Sequence, residues 1–281
     1  MVYNNLSQMS LFMGFVVGRG LVRASRWRTH AYRVQLDPIF QARRLPVVSN
    51  LRLHLLGEFL LLSGETPLTG IDVPRLQSLL AYLVLHHTAP QSRSHLAYLL
   101  WPDSTESQAH TNLRNVIHKL RQTLPDADTF LQAQRQGLQW QPNGRWTVDV
   151  LDFEQALARS EEAERAKNMI AARHALSEAV DLYRGDLLPS CYDEWILPER
   201  DRLRQQFLKA LERLIDLLEQ ERNYEAAISA AQRLLRHDPL HEAVYRHLMR
   251  LYAVSGDRVA ALRTYHTCTT VLKATQGVAV H

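Results

Sequence analysis

Cysteine is scarce in this chain of 281 residues: it has only Cys191 and Cys268, far apart and without metal-ligand spacing around them. Neither a disulfide framework nor a zinc site is therefore predicted, and a reducing compartment is the simplest interpretation. The chain also lacks a Walker loop, the H-E-x-x-H and G-x-S-x-G motifs and a glycine-rich dinucleotide fingerprint. We accordingly predict a protein that is not an enzyme and that binds no cofactor or metal.

Long apolar runs are scarce as well. Residues 9–18 are apolar, but the run is too short to span a bilayer, and arginines follow it where a signal peptide would place them before it. We interpret residues 1–49 as a basic extension without stable order, with a membrane-tethering helix as one alternative. A dense strand pattern opens at Leu51, so a start of translation at Val48 is a second alternative, in which case the preceding residues are a misassigned start.

Excess positive charge is concentrated at one end of the chain. Residues 1–50 hold seven arginines and one aspartate, a net charge of +6, whereas residues 51–148 hold eight basic and seven acidic residues, a net charge of +1. The remainder holds eighteen basic and twenty-one acidic residues, a net charge of −3. Any nucleic-acid binding by residues 51–148 must therefore depend on where the charges stand rather than on a strongly basic domain.

The most informative segment is 105–124, where apolar residues recur at three- and four-residue intervals. This period predicts one amphipathic helix with an apolar stripe of Ala109, Leu113, Val116, Ile117, Leu120 and Leu124. The opposite face carries Ser107, Thr111, Arg114, Asn115, His118, Lys119 and Gln122. Arginine can bond guanine and asparagine adenine, while Thr, Ser and Lys can hold phosphates, so this face suits DNA. An ordinary solvated surface helix is the alternative.

The elements around this helix predict a winged helix-turn-helix. They are, in order, a strand pattern over 51–62 with a short extended piece to 68, helices over 75–87, 92–100 and 105–124, and extended segments over 129–140 and 145–150. Pro74 fits the first turn of the first helix, and Asp103 or Ser104 is a plausible cap of the third. Asn143-Gly144 between the two extended segments is a strong hairpin signal, which predicts the wing.

From residue 152 onward the pattern is wholly helical. Candidate helices cover 153–165, 170–183, 199–220, 224–236, 241–255 and 258–274, and the charged run 199–202 is interpreted as a solvated helix start. A shift of 34 residues places Tyr224, Ala226, Ala227, Ile228 and Ala231 over Arg258, Ala260, Ala261, Leu262 and Tyr265, and a looser copy lies at an offset of 55. This period is typical of tetratricopeptide helix pairs. The predicted fold is thus an α+β winged helix-turn-helix domain over 50–149, followed by an all-α tetratricopeptide-like superhelical domain over 150–278.

Several phrases between Leu51 and Val278 carry a resemblance to a known family. They are LRLHLLGEF at 51–59, LLWPD at 99–103, NLRNVIHKLRQTL at 112–124, VDVLDFE at 148–154, AVDLYRGDLLP at 179–189, Trp195 followed by ERDRLR at 199–204, and HDPLHEAVYRHLMRLYAVSGDRVAALRTY at 237–265. Together they resemble bacterial transcriptional activators of the streptomycete antibiotic regulatory protein type. Such proteins join a winged helix to a bacterial transcriptional activator domain.

The resemblance implies sequence-specific binding of double-stranded promoter DNA, recruitment of RNA polymerase and a bacterial cytoplasmic, nucleoid-associated location without membrane contact. It places the DNA-binding surface on Asn112, Arg114, Asn115, His118 and Arg121, to which the polar face adds Thr111 and Lys119. Arg135 and Arg145 are the candidates for contacts from the wing. A homodimer on repeated half-sites is an expected arrangement. The alternative is a helical-repeat adaptor whose winged helix binds protein rather than DNA.

Overall fold

The computed structural model of the chain describes residues 50–134, 137–141 and 145–278, with side chains up to residue 274 in the last helix. The predictions made for residues 1–49 and for the Asn143-Gly144 turn lie outside these ranges. All described residues belong to one compact unit, 46–281. In chain order the elements are β1 (Leu51–His54), β2 (Leu60–Ser63), β3 (Thr66–Pro67), α1 (Pro74–Leu85), α2 (Arg93–Leu100), α3 (Glu106–Thr123), α4 (Ala127–Phe130), β4 (Leu131–Gln134), β5 (Gly137–Trp140), β6 (Trp146–Val148), α5 (Asp149–Arg165), α6 (Met169–Leu182), α7 (Ile196–Gln220), α8 (Tyr224–His237), α9 (Glu242–Val254) and α10 (Arg258–Val278).

The predicted N-terminal antiparallel sheet is confirmed, and it has one more strand than expected. β1 pairs with β2 and β2 with β3, both antiparallel, and β6 adds to the free edge of β1 in parallel, which gives the order β3-β2-β1-β6. The parallel register sets Leu51 opposite Trp146 and Leu53 opposite Val148. The sheet therefore pairs strands that lie almost a hundred residues apart in the sequence.

The three helices predicted for the winged part are confirmed. Val73 precedes α1, with Pro74 in its first turn, and the Ser92 side chain caps α2 by accepting a hydrogen bond from the His95 amide at 3.1 Å. The cap predicted for α3 at Asp103 or Ser104 is wrong. Thr105 takes that place because its backbone is extended while its hydroxyl accepts from the Gln108 amide at 3.4 Å, the usual geometry of an N-cap.

The predicted position of the hairpin is also wrong. β4 and β5 form an antiparallel hairpin inside the first extended segment, with Leu131 opposite Trp140, while the second segment enters the N-terminal sheet as β6. The residues that open the first segment are helical, in α4. The strand period is the same in a hairpin and in a sheet, so the alternation of side chains could not reveal which partner each strand takes.

Between residues 149 and 278 the structure describes six helices, as predicted, and consecutive ones pack against each other. Its repeats share one capping device: Asn168, Asn223 and Asp257 each accept a hydrogen bond from an alanine amide three residues further on. These residues are related by the offsets of 55 and 34 found in the sequence. Three alanines of each of the helices α6 and α8 are buried, since a methyl side chain permits close packing of neighbouring helices: Ala172, Ala175 and Ala179, and Ala227, Ala230 and Ala231.

The winged part is fixed to the helical part by a buried carboxylate and by paired backbone. Asp149, at the start of α5, is 4% exposed and accepts hydrogen bonds from the Leu55 amide at 2.9 Å and the Leu56 amide at 3.0 Å. Burial raises the pKa of Asp149, while these amide donors oppose the rise. Nearby, Gly57 donates to the Asp186 carbonyl at 3.0 Å, and a Cβ at Gly185 would lie 3.2 Å from the Gly57 Cα.

A second contact joins α1 to the segment before α7. Ser78 donates to the Asp193 carboxylate at 2.5 Å and accepts from the Trp195 indole at 3.1 Å, and Arg75 forms an ion pair with the same carboxylate. The Trp195 ring meets the Tyr82 ring edge-on, with centroids 5.1 Å apart. Because these contacts are polar, directional and partly buried, they fix both the orientation of α1 and its distance relative to the segment before α7.

The interpretation of 199–202 as a solvated helix start is wrong for the start of the helix and for Arg200. α7 begins earlier, at Ile196, and the half-buried Arg200 donates to the carbonyls of Leu187, Leu188 and Cys191 at 2.9, 2.7 and 2.9 Å. One guanidinium thus satisfies three carbonyls of the loop that contacts β1, which a charge pattern in the sequence does not show.

Candidate DNA-binding surface

One side of α3 is buried and the other is open along the whole helix. Ala109, Leu113, Ile117 and Leu120 face the core, as the apolar stripe predicted, and Val116 is half-buried. The exposed residues are Glu106, Ser107, Gln108, Thr111, Arg114, Asn115, His118, Lys119 and Gln122. An 18-residue helix is about 27 Å long at 1.5 Å per residue. This length is enough to lie in a major groove with several side chains facing the bases.

The centre of the exposed face consists of side chains that have no internal role. Arg114, Asn115, His118 and Lys119 make no side-chain hydrogen bond or ion pair with another residue in the described ranges. Thr111, by contrast, donates to the Ser107 carbonyl at 2.9 Å, which restricts its hydroxyl. The central four side chains can therefore turn toward a ligand without breaking a hydrogen bond or ion pair to another described residue.

The flanks of the face are different. Asn112 is half-buried and accepts a hydrogen bond from the Gln108 side chain at 2.9 Å. Arg121 is half-buried on the opposite flank, where its guanidinium lies 3.8 Å from the Asp128 carboxylate. Its Nε is enclosed and has no hydrogen-bond partner within the described part of the chain. Asn112 and Arg121 thus border the exposed face, and a ligand would meet the central residues first.

Charge is distributed unevenly along α3. Glu106 lies in the first turn of α3, where a carboxylate interacts favourably with the helix dipole. The His110 ring lies 3.8 Å from the Glu106 carboxylate. The cations Arg114, Lys119 and Arg121 all stand in the middle and C-terminal turns. Contacts with phosphates are therefore expected along the C-terminal two thirds of the helix, with the first turn less favourable for an anion.

The hairpin β4–β5 is held against the connection between α1 and α2 by residues of β5, beginning at Gly137. Gln91, between α1 and α2, exchanges two backbone hydrogen bonds of 2.9 Å with Leu138, and the Gln139 side chain donates to the His87 carbonyl at 3.0 Å. A Cβ at Gly137 would collide with the Gln91 carbonyl, so glycine is needed for this close approach. Trp140 stacks on Phe130 with centroids 5.6 Å apart. Contacts of the hairpin with its surroundings thus run along β5 from Gly137 to Trp140.

The two predicted wing arginines have different outcomes. Arg135 falls between β4 and β5 and lies outside the described residues. Arg145 is exposed, but it precedes β6 and accepts from the Leu51 amide at 3.0 Å through its carbonyl, so it belongs to the edge of the N-terminal sheet and not to the hairpin. Its placement in the wing is corrected, and its contact with DNA stays a prediction.

Gln108 and Gln122 are exposed on the same face but were not among the predicted contacts. Gln122 follows directly from the helical period, whereas Gln108 lies closer to the flank and was missed for that reason.

In the described ranges no group of three or more His, Cys, Asp or Glu side chains could hold a metal ion. Among those same residues, no helix combines the length and the apolar character required to cross a membrane.

Comparisons with known proteins point to transcriptional regulators. Residues 148–279 match the family model described as bacterial transcriptional activator domain. The regulatory protein AfsR of Streptomyces coelicolor is 27% identical over 215 residues, covering 76% of this chain and 21% of that protein. AfsR of Streptomyces griseus is 24% identical over 228 residues, covering 81% of this chain and 23% of that protein. The chain thus spans about a fifth of the length of these curated relatives.

A solved structure supports the fold independently. EmbR of Mycobacterium tuberculosis, in complex with a low-affinity phosphopeptide, superimposes with a TM-score of 0.66 at 23% identity, covering 80% of this chain and 60% of that one. The match extends across both the winged part and the helical part. The predicted architecture and the predicted resemblance to transcriptional activators of the streptomycete antibiotic regulatory protein type are therefore confirmed.

Proposed function

We propose that this chain, which resembles transcriptional activators of the streptomycete antibiotic regulatory protein type, is itself an activator and binds promoter DNA in a sequence-specific manner through α3. The observation that supports the proposal best is the central exposed face of α3, where Arg114, Asn115, His118 and Lys119 form no side-chain hydrogen bond or ion pair with the described residues. Polar side chains on a supported helix that satisfy no internal group are suited to base edges and phosphates.

In the proposed complex, α3 lies in the major groove. Arg114 and Asn115 are one residue apart near the middle of the helix, and we assign them to base edges, since a guanidinium can bond guanine and a carboxamide adenine in a bidentate manner. Lys119 and Arg121, nearer the C-terminus, are assigned to phosphates together with His118 beside them, and Thr111 is assigned to a phosphate nearer the N-terminus. The wing and Arg145 reach the neighbouring backbone.

The helical part has two proposed roles. It holds the winged part through Asp149 and through Ser78 with Asp193, so the orientation of α3 is set relative to helices α5–α10. It also supplies the surface that recruits RNA polymerase and joins two copies on repeated half-sites about one helical turn apart. Activation of transcription at the chromosome follows from DNA and polymerase being held by one rigid unit.

The test begins with the DNA itself. Purified chain is mixed with sheared genomic DNA, and the retained fragments are sequenced to obtain a binding motif. Affinity for a duplex with this motif is then measured by fluorescence anisotropy across a salt series. We expect the logarithm of the binding constant to fall with the logarithm of salt concentration by roughly 0.9 per phosphate contact.

The Arg114→Ala variant tests the assigned site. Loss of a base contact is expected to cost about 1–3 kcal/mol, or roughly five- to 150-fold in Kd, and to relax preference at one motif position. Arg222→Ala, an exposed arginine in the turn between α7 and α8, is the matched control and should bind normally. Undiminished affinity of the Arg114→Ala variant would remove the base-reading assignment.

A protein-binding adaptor remains the second candidate because the net charge of residues 51–148 is only +1. The same experiments separate the two functions. An adaptor would enrich no genomic motif, and its residual DNA affinity would be unaffected by changes on α3. A motif that depends on Arg114 excludes the adaptor as the principal role.

A further inference from the structure

The helical part contains an open groove that plays no part in the proposed DNA contact. It lies over α9, between α8 and α10, and has a volume of about 470 Å³. Leu235, Leu248, Tyr245 and Tyr252 supply apolar surface, and Arg236 and Arg263 stand on opposite walls. The volume is within the range of about 300–1,000 Å³ found for binding clefts.

Comparison of the repeats explains why this groove is open. In α8, Arg233 reaches across to α6 and donates to the carbonyls of Val180 and Tyr183 at 2.7 and 2.8 Å, near the end of that helix. The residue 34 positions later, in α10, is Thr267, whose hydroxyl donates to the Arg263 carbonyl within its own helix. The second repeat therefore lacks the long side chain that bridges helices in the first, and the space beside Leu235 is left empty.

The charge on the groove selects its ligand. Its lining includes two arginines and no carboxylate. Neither the Arg236 nor the Arg263 side chain forms a hydrogen bond or ion pair with any residue in the described part of the chain. Cations left unpaired beside leucine and tyrosine surface fit a ligand that has both carboxylates and apolar side chains. A DNA backbone supplies anionic oxygens but no aliphatic group for the floor.

We propose that this groove docks an acidic amphipathic helix of a partner protein. Leucine-type side chains of that helix occupy the space beside Leu235 and Leu248, and its glutamates pair with Arg236 and Arg263. This is the helix-in-groove mode of peptide recognition, in which apolar anchors supply affinity and charges at the rim select the partner. The site is independent of the proposed recognition helix, so its failure would leave the DNA-binding proposal intact.

The probe is a fluorescein-labelled synthetic peptide of about 15 residues, a length at which isolated helices begin to form. It has leucine at positions i, i+3, i+4 and i+7 and glutamate on the other face, and its matched control has lysine in place of every glutamate. Anisotropy is measured with the full chain. Saturable binding of the glutamate peptide and not of the lysine peptide is expected, and absence of such binding overturns the proposal.

Two variants locate the binding. The double variant Arg236→Glu/Arg263→Glu should weaken the glutamate peptide by about tenfold or more, since two rim pairs become repulsive. The matched double variant Arg165→Glu/Arg222→Glu carries the same charge change at other exposed arginines and should bind within about twofold. Equal weakening by both would show attraction by overall charge and overturn the assigned site.

Thr267→Arg is the decisive variant because it adds positive charge while filling the groove as Arg233 fills the equivalent space. Groove docking predicts that the glutamate peptide binds at least tenfold more weakly. Binding that is unchanged or tighter would mean that charge alone holds the peptide, which contradicts the proposal. Displacement of the peptide by duplex DNA of unrelated sequence, with the DNA itself dependent on Arg236 and Arg263, would assign the surface to nucleic acid instead. Circular dichroism verifies the fold of each variant.

Discussion

Asp149→Ala removes a carboxylate that joins the residues directly after β1 to the first helix of the helical part. The side chain is 4% exposed and accepts hydrogen bonds from the amides of Leu55 and Leu56 at 2.9 and 3.0 Å. Alanine leaves both amides without this acceptor, and a buried unsatisfied donor costs about 1–3 kcal/mol. For two donors the cost is about 2–6 kcal/mol. The substitution also removes the desolvation penalty of the carboxylate, which is what raises the pKa of Asp149. We therefore expect the free energy of unfolding to fall by about 2–4 kcal/mol.

The assay is urea unfolding of the full chain, followed by tryptophan fluorescence. Asp149→Asn retains one acceptor oxygen but turns an NH₂ group toward an amide donor, so it should lie between the parent and Asp149→Ala in its free energy of unfolding. Asp201→Ala, an exposed acid on α7, is the control and should stay within about 0.5 kcal/mol of the parent. A similarly small effect of Asp149→Ala would refute the assigned role of the carboxylate in fixing β1.

Three further substitutions test other parts of the structure. Gly137→Ala places a Cβ against the Gln91 carbonyl, so we expect a loss of about 1–3 kcal/mol in unfolding and weaker DNA binding by anisotropy; normal values would show that the wing need not approach Gln91 so closely. Thr105→Ala removes the cap of α3 and should cost about 1 kcal/mol, while Thr105→Ser should restore most of it; equal stability of all three proteins would disprove the cap. Arg200→Met deprives three loop carbonyls of their donor and should cost about 3 kcal/mol by urea unfolding, whereas an unchanged midpoint would mean that water replaces the guanidinium.

The sequence predicted those parts of the fold whose causes are local. The positions of α1, α2 and α3 follow from the apolar period and Pro74, and those of the six helices of the second part from the same period and the 34-residue repeat, although the cap of α3 and the start of α7 were not predicted correctly. Strand pairing was not predictable in this way. The β1–β6 pair joins Leu51 to Trp146, and the alternation of side chains is identical whether a strand pairs with its neighbour or with a distant partner.

The exposed face of α3 was predicted from the sequence, but the contacts of the residues that border it were not. A helical period is enough to place Arg114, Asn115, His118 and Lys119 on one face, and the structure leaves these side chains exposed. The helical period could not show that the Arg121 guanidinium lies 3.8 Å from the Asp128 carboxylate, because that contact depends on how the chain turns after α3. The role of Arg200 was missed for a similar reason: its three carbonyl partners belong to a loop whose path no periodicity specifies.

Asp149 also bears on how genes of this kind can be recombined. Its carboxylate accepts hydrogen bonds from the amides directly after β1, but its backbone is the first turn of α5, so the residue belongs to the winged part by contact and to the helical part by chain. A crossover between residues 149 and 150 would join this aspartate to a foreign helix that need not orient it. The two halves are therefore not interchangeable cassettes, and chimeras should exchange β1 and α5 together.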